Sequence, residues 1–356
     1  MPLDSDHSLK HKNILVAAMD WGLGHATRCV PIIRNLQKEG HNIILASHGQ
    51  SLDFLKKYFP ELLVISKPGY QIKYSEKISM ATAMALQAPS IARTIYSEHA
   101  WLKEIIKTHA ITKVFSDNCY GLWNKSVHSV IISHQLSLVF PSALKLPGAL
   151  VNRIIHYFLK KFDEIYIPDI ADPDNYSGML SAASHKFRHS KFIGTLSRFS
   201  DNNSQLNAEI FDLVVMLSGP EPQRTLLEEK CQRILAGRGL KCCFLRGLPG
   251  AQEVKMNTNE FTWHNHLDDD LLKAILKNAR KIICRSGYST IMDLIALDVR
   301  ALFIPTPGQT EQEYLAAHNS GKQFEFIKQE EMDFEKIKIG NPEKNFRASE
   351  VTAYSE

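Results

Sequence analysis

Residues Asn13-Ile14-Leu15-Val16-Ala17-Ala18-Met19 form an unbroken apolar run, the pattern of a strand covered on both faces. A glycine-rich break over 20–25 follows. Cys29, Ile32, Ile33 and Leu36 then recur at i, i+3, i+4 and i+7, which marks one face of a helix that Gly40 can terminate. The apolar run 42–46 predicts a second strand, and a strand–helix–strand crossover implies parallel pairing. Further strands are predicted at 62–65, 113–116, 130–132 and 164–167, with helices at 91–106 and 150–162. A polar stretch, 197–207, interrupts the pattern, and a second series starts behind it. That series has strands at 212–217, 241–245, 281–284 and 301–304, and helices ending at Leu235 and spanning 269–278 and 290–297. The predicted class is α/β: two Rossmann-like doubly wound domains facing a central cleft. The predicted boundaries are 1–196, a linker at 197–209, a second domain at 210–330 and a charged tail at 331–356. Mixed charges in the tail suggest a solvated face, and its last residues, 348–356, are expected to be disordered.

Composition narrows the function classes. A net charge of +4, from 42 Lys+Arg against 38 Asp+Glu, is too small for the clustered basic footprint of a nucleic-acid protein. No apolar run reaches the ~18 residues of a membrane span, and the polar residues 1–12 lack the apolar centre of a signal peptide. The six cysteines include no C-x-x-C pair, which removes zinc-ribbon and thioredoxin-like readings, and they are too sparse for a disulfide scaffold. A reduced, soluble, cytoplasmic protein is expected.

In doubly wound sheets ligands bind beyond the carboxyl ends of strands, so the loops there carry the candidate chemistry. The first is Gly22-Leu23-Gly24-His25-Ala26-Thr27-Arg28. Its glycines let backbone amides approach a ligand, and the helix behind favours anions. Thr27 stands where a dinucleotide fingerprint needs its third glycine, and no acid closes the next strand, so a nicotinamide site is not expected. His25 occupies the loop-to-helix corner, where an imidazole serves as base or caps its own helix. The second loop, Ser218-Gly219-Pro220-Glu221-Pro222-Gln223-Arg224, opens a helix after a buried strand, and Arg224 can add a charge-assisted phosphate contact. The third, Cys284-Arg285-Ser286-Gly287-Tyr288-Ser289-Thr290, offers hydroxyls and amides to a diphosphate, and Asp293 lies where it can accept from ribose hydroxyls. Beyond the next strand, 305–313 is dense in amides and carboxylates, Gln309, Glu311 and Gln312 among them, which suit sugar hydroxyls.

These residues resemble the GT-B glycosyltransferases, most closely the family 28-like branch related to the peptidoglycan UDP-GlcNAc transferase. Gly22-Leu23-Gly24-His25 is similar to that family's N-terminal glycine loop. Arg285 to Thr290 with Asp293, followed by 305–312, is similar to its donor-binding signature. Ser116-Asp117-Asn118-Cys119-Tyr120-Gly121 and Ser133-His134-Gln135 resemble motifs of an uncharacterised bacterial branch. The resemblance implies a nucleotide-sugar donor, UDP-linked, with Ser218, Gly219, Ser286 and Gly287 at the diphosphate and Asp293 at the ribose. It also places Gln312 with Glu311 at the sugar hydroxyls and His266 near the base. Asp293 stands where the family has a Glu.

Transfer of a hexosyl or N-acetylhexosaminyl group needs a base for the acceptor hydroxyl and stabilisation of the leaving diphosphate. His25 is the first choice for the base, with Asp117 and His134 next. Gly22, Gly24, Arg28 and Asn118 are expected to form the acceptor loop. Helix N-termini and Arg224 can stabilise the diphosphate without metal, and no cofactor is expected. Asp268-Asp269-Asp270 contains a metal-binding D-x-D string, but it precedes a helix whose first turn favours acids. Asp172-Pro173-Asp174 reads as a surface turn. An epimerase or hydrolase of the same fold, and a sugar-nucleotide-binding protein without turnover, are the alternatives. The acceptor is read as a sugar, lipid-linked or other small molecule. The apolar stretch 140–161 with basic residues at one edge is either a core helix with snorkelling lysines or a peripheral contact with an anionic membrane.

Overall fold

The computed structural model describes residues 12–70, 80–140, 145–200, 206–248, 250–251, 257–337 and 339. The chain divides after Ser197 into two compact units. The first contains β1 (Asn13–Ala18), α1 (Leu23–Lys38), β2 (Asn42–Ser47), α2 (Gly49–Tyr58), β3 (Leu63–Ser66), α3 (Met80–Thr108), β4 (Lys113–Asp117), β5 (His128–Ile132), α4 (Lys145–Leu159), β6 (Glu164–Ile167) and β7 (Ser190–Phe192). Its seven strands pair in parallel in the order β3-β2-β1-β4-β5-β6-β7. β1 is central and covered on both faces. Ile14 and Val16 pack with Cys29, Ile32, Ile33 and Leu36 of α1 on one side, and Leu15 and Ala17 pack with Ile95 and Leu102 of α3 on the other. This double coverage is the reason the strand reads as a continuous apolar run.

The second unit contains β8 (Leu213–Met216), α5 (Gln223–Leu235), β9 (Cys242–Leu245), β10 (Phe261–His264), α6 (Asp269–Asn278), β11 (Ile282–Cys284), α7 (Tyr288–Leu297), β12 (Ala301–Phe303), α8 (Thr310–Asn319), β13 (Phe324–Phe326) and α9 (Phe334–Ile337). Its six strands are also all parallel, in the order β10-β9-β8-β11-β12-β13. Both sheets therefore reverse their winding direction between the first strand of the unit and the fourth. That switch point is where a doubly wound fold opens a crevice for ligands.

Six elements are absent from the sequence pattern: α2, α9 and four more. β7 and β13 are three-residue edge strands, and β10 is an edge strand held by Phe261 and Trp263, with Trp263 stacked on Phe244 at 5.7 Å. Edge strands are short and half-covered, so they carry little apolar signal. Residues from 310 on, read as a polar loop, form α8 instead, which buries only Leu315, Ala316 and Asn319.

Two boundaries also move. Arg198, assigned to a linker, pairs with Asp269 at 3.1 Å, and Phe199 is buried, so both residues are part of the second unit. The start of the charged tail is core as well: Met332 and Ile337 join the cluster of β8, β9 and β11. The expectation of disorder over 348–356 lies outside the described residues.

Candidate active site

Three neighbouring strands of the first unit, β1, β4 and β5, end at one level, with Ala18 paired to Asp117 and Asp117 to Ile132. Each strand delivers a polar residue just beyond its end. The loop after β1 turns through Gly22 at φ +82°, a left-handed conformation that glycine adopts without strain, and starts α1 at Leu23. The first turn of α1 has no acid and carries His25, and one turn later Arg28 points back to the same place. Asp117 is the last residue of β4, and His134 follows β5 by two residues.

These four side chains form one cluster. Asp117 is fully buried and receives Arg28 Nε at 2.7 Å on Oδ2 and Arg28 Nη2 at 2.5 Å on Oδ1. His25 Nδ1 lies 2.6 Å from the same Oδ1, and Arg28 Nη1 lies 3.0 Å from His134 Nδ1. Burial pushes the Asp117 carboxyl up, but Arg28 and then His25 more than offset it and hold it at about 2. Asp117 is thus a permanent carboxylate with its oxygens committed. That corrects the expectation that it is a candidate base: its structural role is to orient His25. A ring nitrogen 2.6 Å from a carboxylate oxygen must donate to it. A neutral His25 therefore carries its proton on Nδ1 and presents a lone pair at Nε2, which is what a base requires.

Next to the cluster, Asn118 adopts φ +53°, uncommon for a residue other than glycine, while its N–H donates to Ile132 O at 3.2 Å. Its side-chain Oδ1 is buried and has no hydrogen-bond partner. A strained backbone presenting an unsatisfied acceptor beside a His–Asp pair is the arrangement found at functional sites.

The second unit repeats the layout with different chemistry. After β8 the chain turns through Gly219 at φ +95° and begins α5 behind Pro222. After β11, Gly287 caps α7. The first turn of α7 contains no acid, so its N–H groups can meet an anion, whereas at α5 the Glu221 carboxylate already accepts from Thr225 N at 3.2 Å. α8 is different, with Glu311 and Glu313 in its first turn, a terminus suited to hydroxyls rather than phosphate. Ser289 and Thr290 lie in the first turn of α7, Asp293 in its second turn, and His266 two residues beyond β10.

Several expected donor contacts are corrected by the geometry. Arg285 is fully buried and donates to the carbonyls of Ile304, Pro305 and Gln223 and to Gln329 Oε1, at 2.7–3.2 Å. It clasps three loops together from within, and burial lowers its pKa to about 10. Arg224 is likewise spent, bonding Glu221 through Nε at 2.8 Å and Glu228 through Nη1 at 3.1 Å. Arg224 has no donor left for a phosphate, and both Nη atoms of Arg285 are committed, its buried Nε alone lacking a partner. The Ser286 hydroxyl donates to Gln312 O at 2.7 Å, and Gln312 Oε1 accepts from Thr306 N at 2.9 Å. These two bonds tie α8 to the β11 and β12 loops, so both residues shape the site. Asp293 lies 3.6 Å from Arg198 Nε, an ion pair that the linker reading of Arg198 missed. Asp268 caps α6 by accepting from Leu271 N at 2.9 Å, as the macrodipole argument expects.

The sequence pattern did not single out Thr306 or Gln223. Thr306 is buried, its Oγ1 has no partner, and the Cβ of a side chain at Gly219 would stand 4.0 Å from it. Gln223 Oε1 is also buried without a partner. Thr306 Oγ1 thus stands beside the Gly219 turn, and Gln223 is the first residue of α5.

Residues 227–338 match the glycosyltransferase family 28 C-terminal domain. The chain is a glycosyltransferase with the GT-B fold, and the family 28 match lies in its second unit. An uncharacterised glycosyltransferase of the archaeon Methanosarcina acetivorans is 22% identical to it over 326 residues, covering 85% of this chain and 82% of the relative. Among solved structures, the calicheamicin glycosyltransferase CalG4 superposes with a TM-score of 0.63 at 12% identity, over 91% of this transferase and 87% of that chain. Acinetobacter baumannii MurG gives 0.50 at 15% identity, over 94% and 88%. The spinosyn rhamnosyltransferase SpnG, solved with thymidine diphosphate, gives 0.52 at 13% identity, over 89% and 86%. Both Rossmann-like units of the transferase are therefore GT-B halves.

Proposed function

We propose that the transferase moves a hexosyl or N-acetylhexosaminyl group from a nucleoside-diphosphate sugar, UDP-linked, to an acceptor hydroxyl, with acceptor chemistry at the first unit and the donor at the second. The observation that carries this reading is the His25–Asp117 pair at the switch point of the first sheet. In this reaction His25 Nε2 takes the proton of the acceptor hydroxyl as its oxygen bonds to the anomeric carbon, and the bond to the nucleoside diphosphate breaks. Asp117 steadies the imidazolium that forms. The departing charge is met by the N–H groups of Ser218, Gly219 and the α7 first turn, including Gly287, Ser289 and Thr290, rather than by metal. Thr306 Oγ1 and Gln223 Oε1 complete that pocket. Asp293 takes the ribose hydroxyls, Gln309, Glu311 and Gln312 the sugar, and His266 the base. Gly22, Gly24 and Asn118 receive the acceptor. Thymidine diphosphate on SpnG supports a nucleoside diphosphate in this fold.

A panel of nucleotide sugars tests the reading. A matching donor raises the melting temperature, since a ligand of the native state stabilises it, and yields free UDP by mass spectrometry only when acceptor is present. Release without acceptor marks a hydrolase or epimerase. Asp293→Ala abolishes the thermal shift. No shift with any member of the panel overturns the proposal.

The same reading extends to a membrane-borne acceptor. Leu150, Ile154 and Tyr157 are 61%, 50% and 57% exposed on one face of α4, with exposed Arg153 and Lys160 beside them, while Leu159 faces the core. The core-helix reading is thus half right, and the exposed face has the apolar centre and basic rim that suit an anionic bilayer. Flotation with anionic vesicles, but not with neutral ones, is the expected outcome; flotation with neither removes this extension.

A further inference from the structure

Arg246 follows β9 directly, and its guanidinium is held from two sides. Its Nε donates to Glu228 Oε2 on α5 at 3.2 Å, and its Nη1 donates to Asn265 Oδ1, one residue beyond β10, at 2.9 Å. The backbone is laced to the same loop: Arg246 N donates to His264 O at 2.8 Å and Leu248 N to Asn265 O at 2.7 Å. On its other side β9 pairs with β8, and Leu217 N donates to Leu245 O at 2.8 Å. Gly247 takes φ +66°, and a Cβ there would stand 2.7 Å from Leu217 O, so only glycine lets the chain turn this close to the loop after β8. The third nitrogen of Arg246, Nη2, has no acceptor among the described residues, and the side chain is 14% exposed.

Arg246 differs in this from the two other arginines of these loops. Arg224 draws on Glu221 as well as Glu228, and Arg285 spends both Nη atoms on carbonyls and Gln329. Arg246 has only a share of Glu228, whose Oε2 also accepts from Arg224 Nη1 at 3.1 Å.

We propose that Arg246 is a nucleotide-binding residue, donating from Nη2 to a phosphate oxygen of a nucleoside diphosphate held at the Gly219 turn. The inference rests on the reading of the second unit as the donor site. The sheet order puts the end of β9 between the Gly219 turn after β8 and His266 beyond β10. A phosphate at that turn is one strand away from a cation whose orientation is already fixed. Because Nε and Nη1 are held before the ligand arrives, the contact costs little side-chain entropy on binding. A guanidinium N–H on a phosphate oxygen is a charge-assisted bond, the stronger class.

Titrations of the full chain with UDP, inorganic pyrophosphate and uridine, followed by phosphorus and proton NMR of the ligand so that weak binding is still read, test this. In Arg246→Gln, Glu228 keeps Arg224 and no carboxylate is left bare, so the fold is retained, as circular dichroism and the thermal midpoint check. UDP and pyrophosphate should bind about 10- to 100-fold more weakly, the loss for a hydrogen bond to a charged group, with uridine unchanged. The gap between wild type and variant should narrow from about 50 to about 500 mM NaCl, as screening weakens an ionic contact. The same results are expected of Arg246→Met, which keeps the apolar stem and serves where the glutamine variant does not fold. Structural damage alone would weaken uridine and UDP equally and leave the gap independent of salt; either result overturns the inference. UDP binding that is equal in wild type and variant sinks it too, and leaves the donor-site reading standing. Wild-type protein that binds neither UDP nor pyrophosphate sinks both.

Discussion

His25, Arg28, Asp117 and His134 lie as far as 109 positions apart in the chain, yet they act as one group because each stands at or just beyond the end of a central strand. Two predictions belong at this scale. His25→Ala should lower transfer by about 10²- to 10⁴-fold, the usual contribution of a positioned base, with UDP affinity unchanged in calorimetry. The Asp117 carboxyl, near 4 when unfolded and about 2 when folded, adds stability that is fully present above the unfolded value. That stability is lost as pH falls through the window from about 4 to 2. Urea midpoints measured from pH 6 to 2.5 should drop in that window, and Asp117→Asn should flatten the drop. Sequence reading found the four residues singly, but it could not tell base from orienting group, because that depends on which atoms of Asp117 and His134 the guanidinium reaches. It also misjudged Arg224 and Arg285 for one reason: a basic residue in a phosphate-type loop looks the same whether its donors point outward or, as here, are satisfied by Glu221, Glu228 and carbonyls.

At the level of elements, β1, α1, β2, β4, β8, β9 and β11 were legible because each is covered on two faces or along one stripe, which leaves a strong apolar period. α8 was not, since a helix that buries only Leu315, Ala316 and Asn319 has almost no stripe. Its position matters nonetheless, because Gln312 joins it to Thr306 and Ser286. Thr306→Val removes the unsatisfied hydroxyl beside Gly219 while keeping the shape. Fluorescence titration should show nucleoside diphosphate binding weaker by about 0.5–1.5 kcal/mol, with little change in melting temperature of the free protein. Ile33→Ala on α1, by contrast, opens a void under β1 and should cost about 2–5 kcal/mol in chemical denaturation.

For the whole molecule, the two sheets share one order but differ in what their loops carry: one unit displays a His–Asp pair, the other the acid-free terminus of α7 and unsatisfied hydroxyl and amide oxygens. Hydrogen exchange with UDP should therefore protect the loops after β8, β11 and β12 and leave those after β1, β4 and β5 unchanged. All six cysteines are buried and free, and burial raises each thiol well above its ordinary value or to about 12 or higher. The native protein should accordingly react with none of them on the timescale in which the unfolded chain reacts with all. The sequence by itself determined the class and the two-unit plan, because burial of central strands and helix stripes writes a local period into the chain. It also pointed to the loops at the strand ends as the place for the chemistry, because glycines mark where those strands stop. Only the tertiary structure decided what each charged side chain does there. An ion pair, a tautomer or a buried arginine is fixed by partners distant in sequence, and no local pattern encodes them.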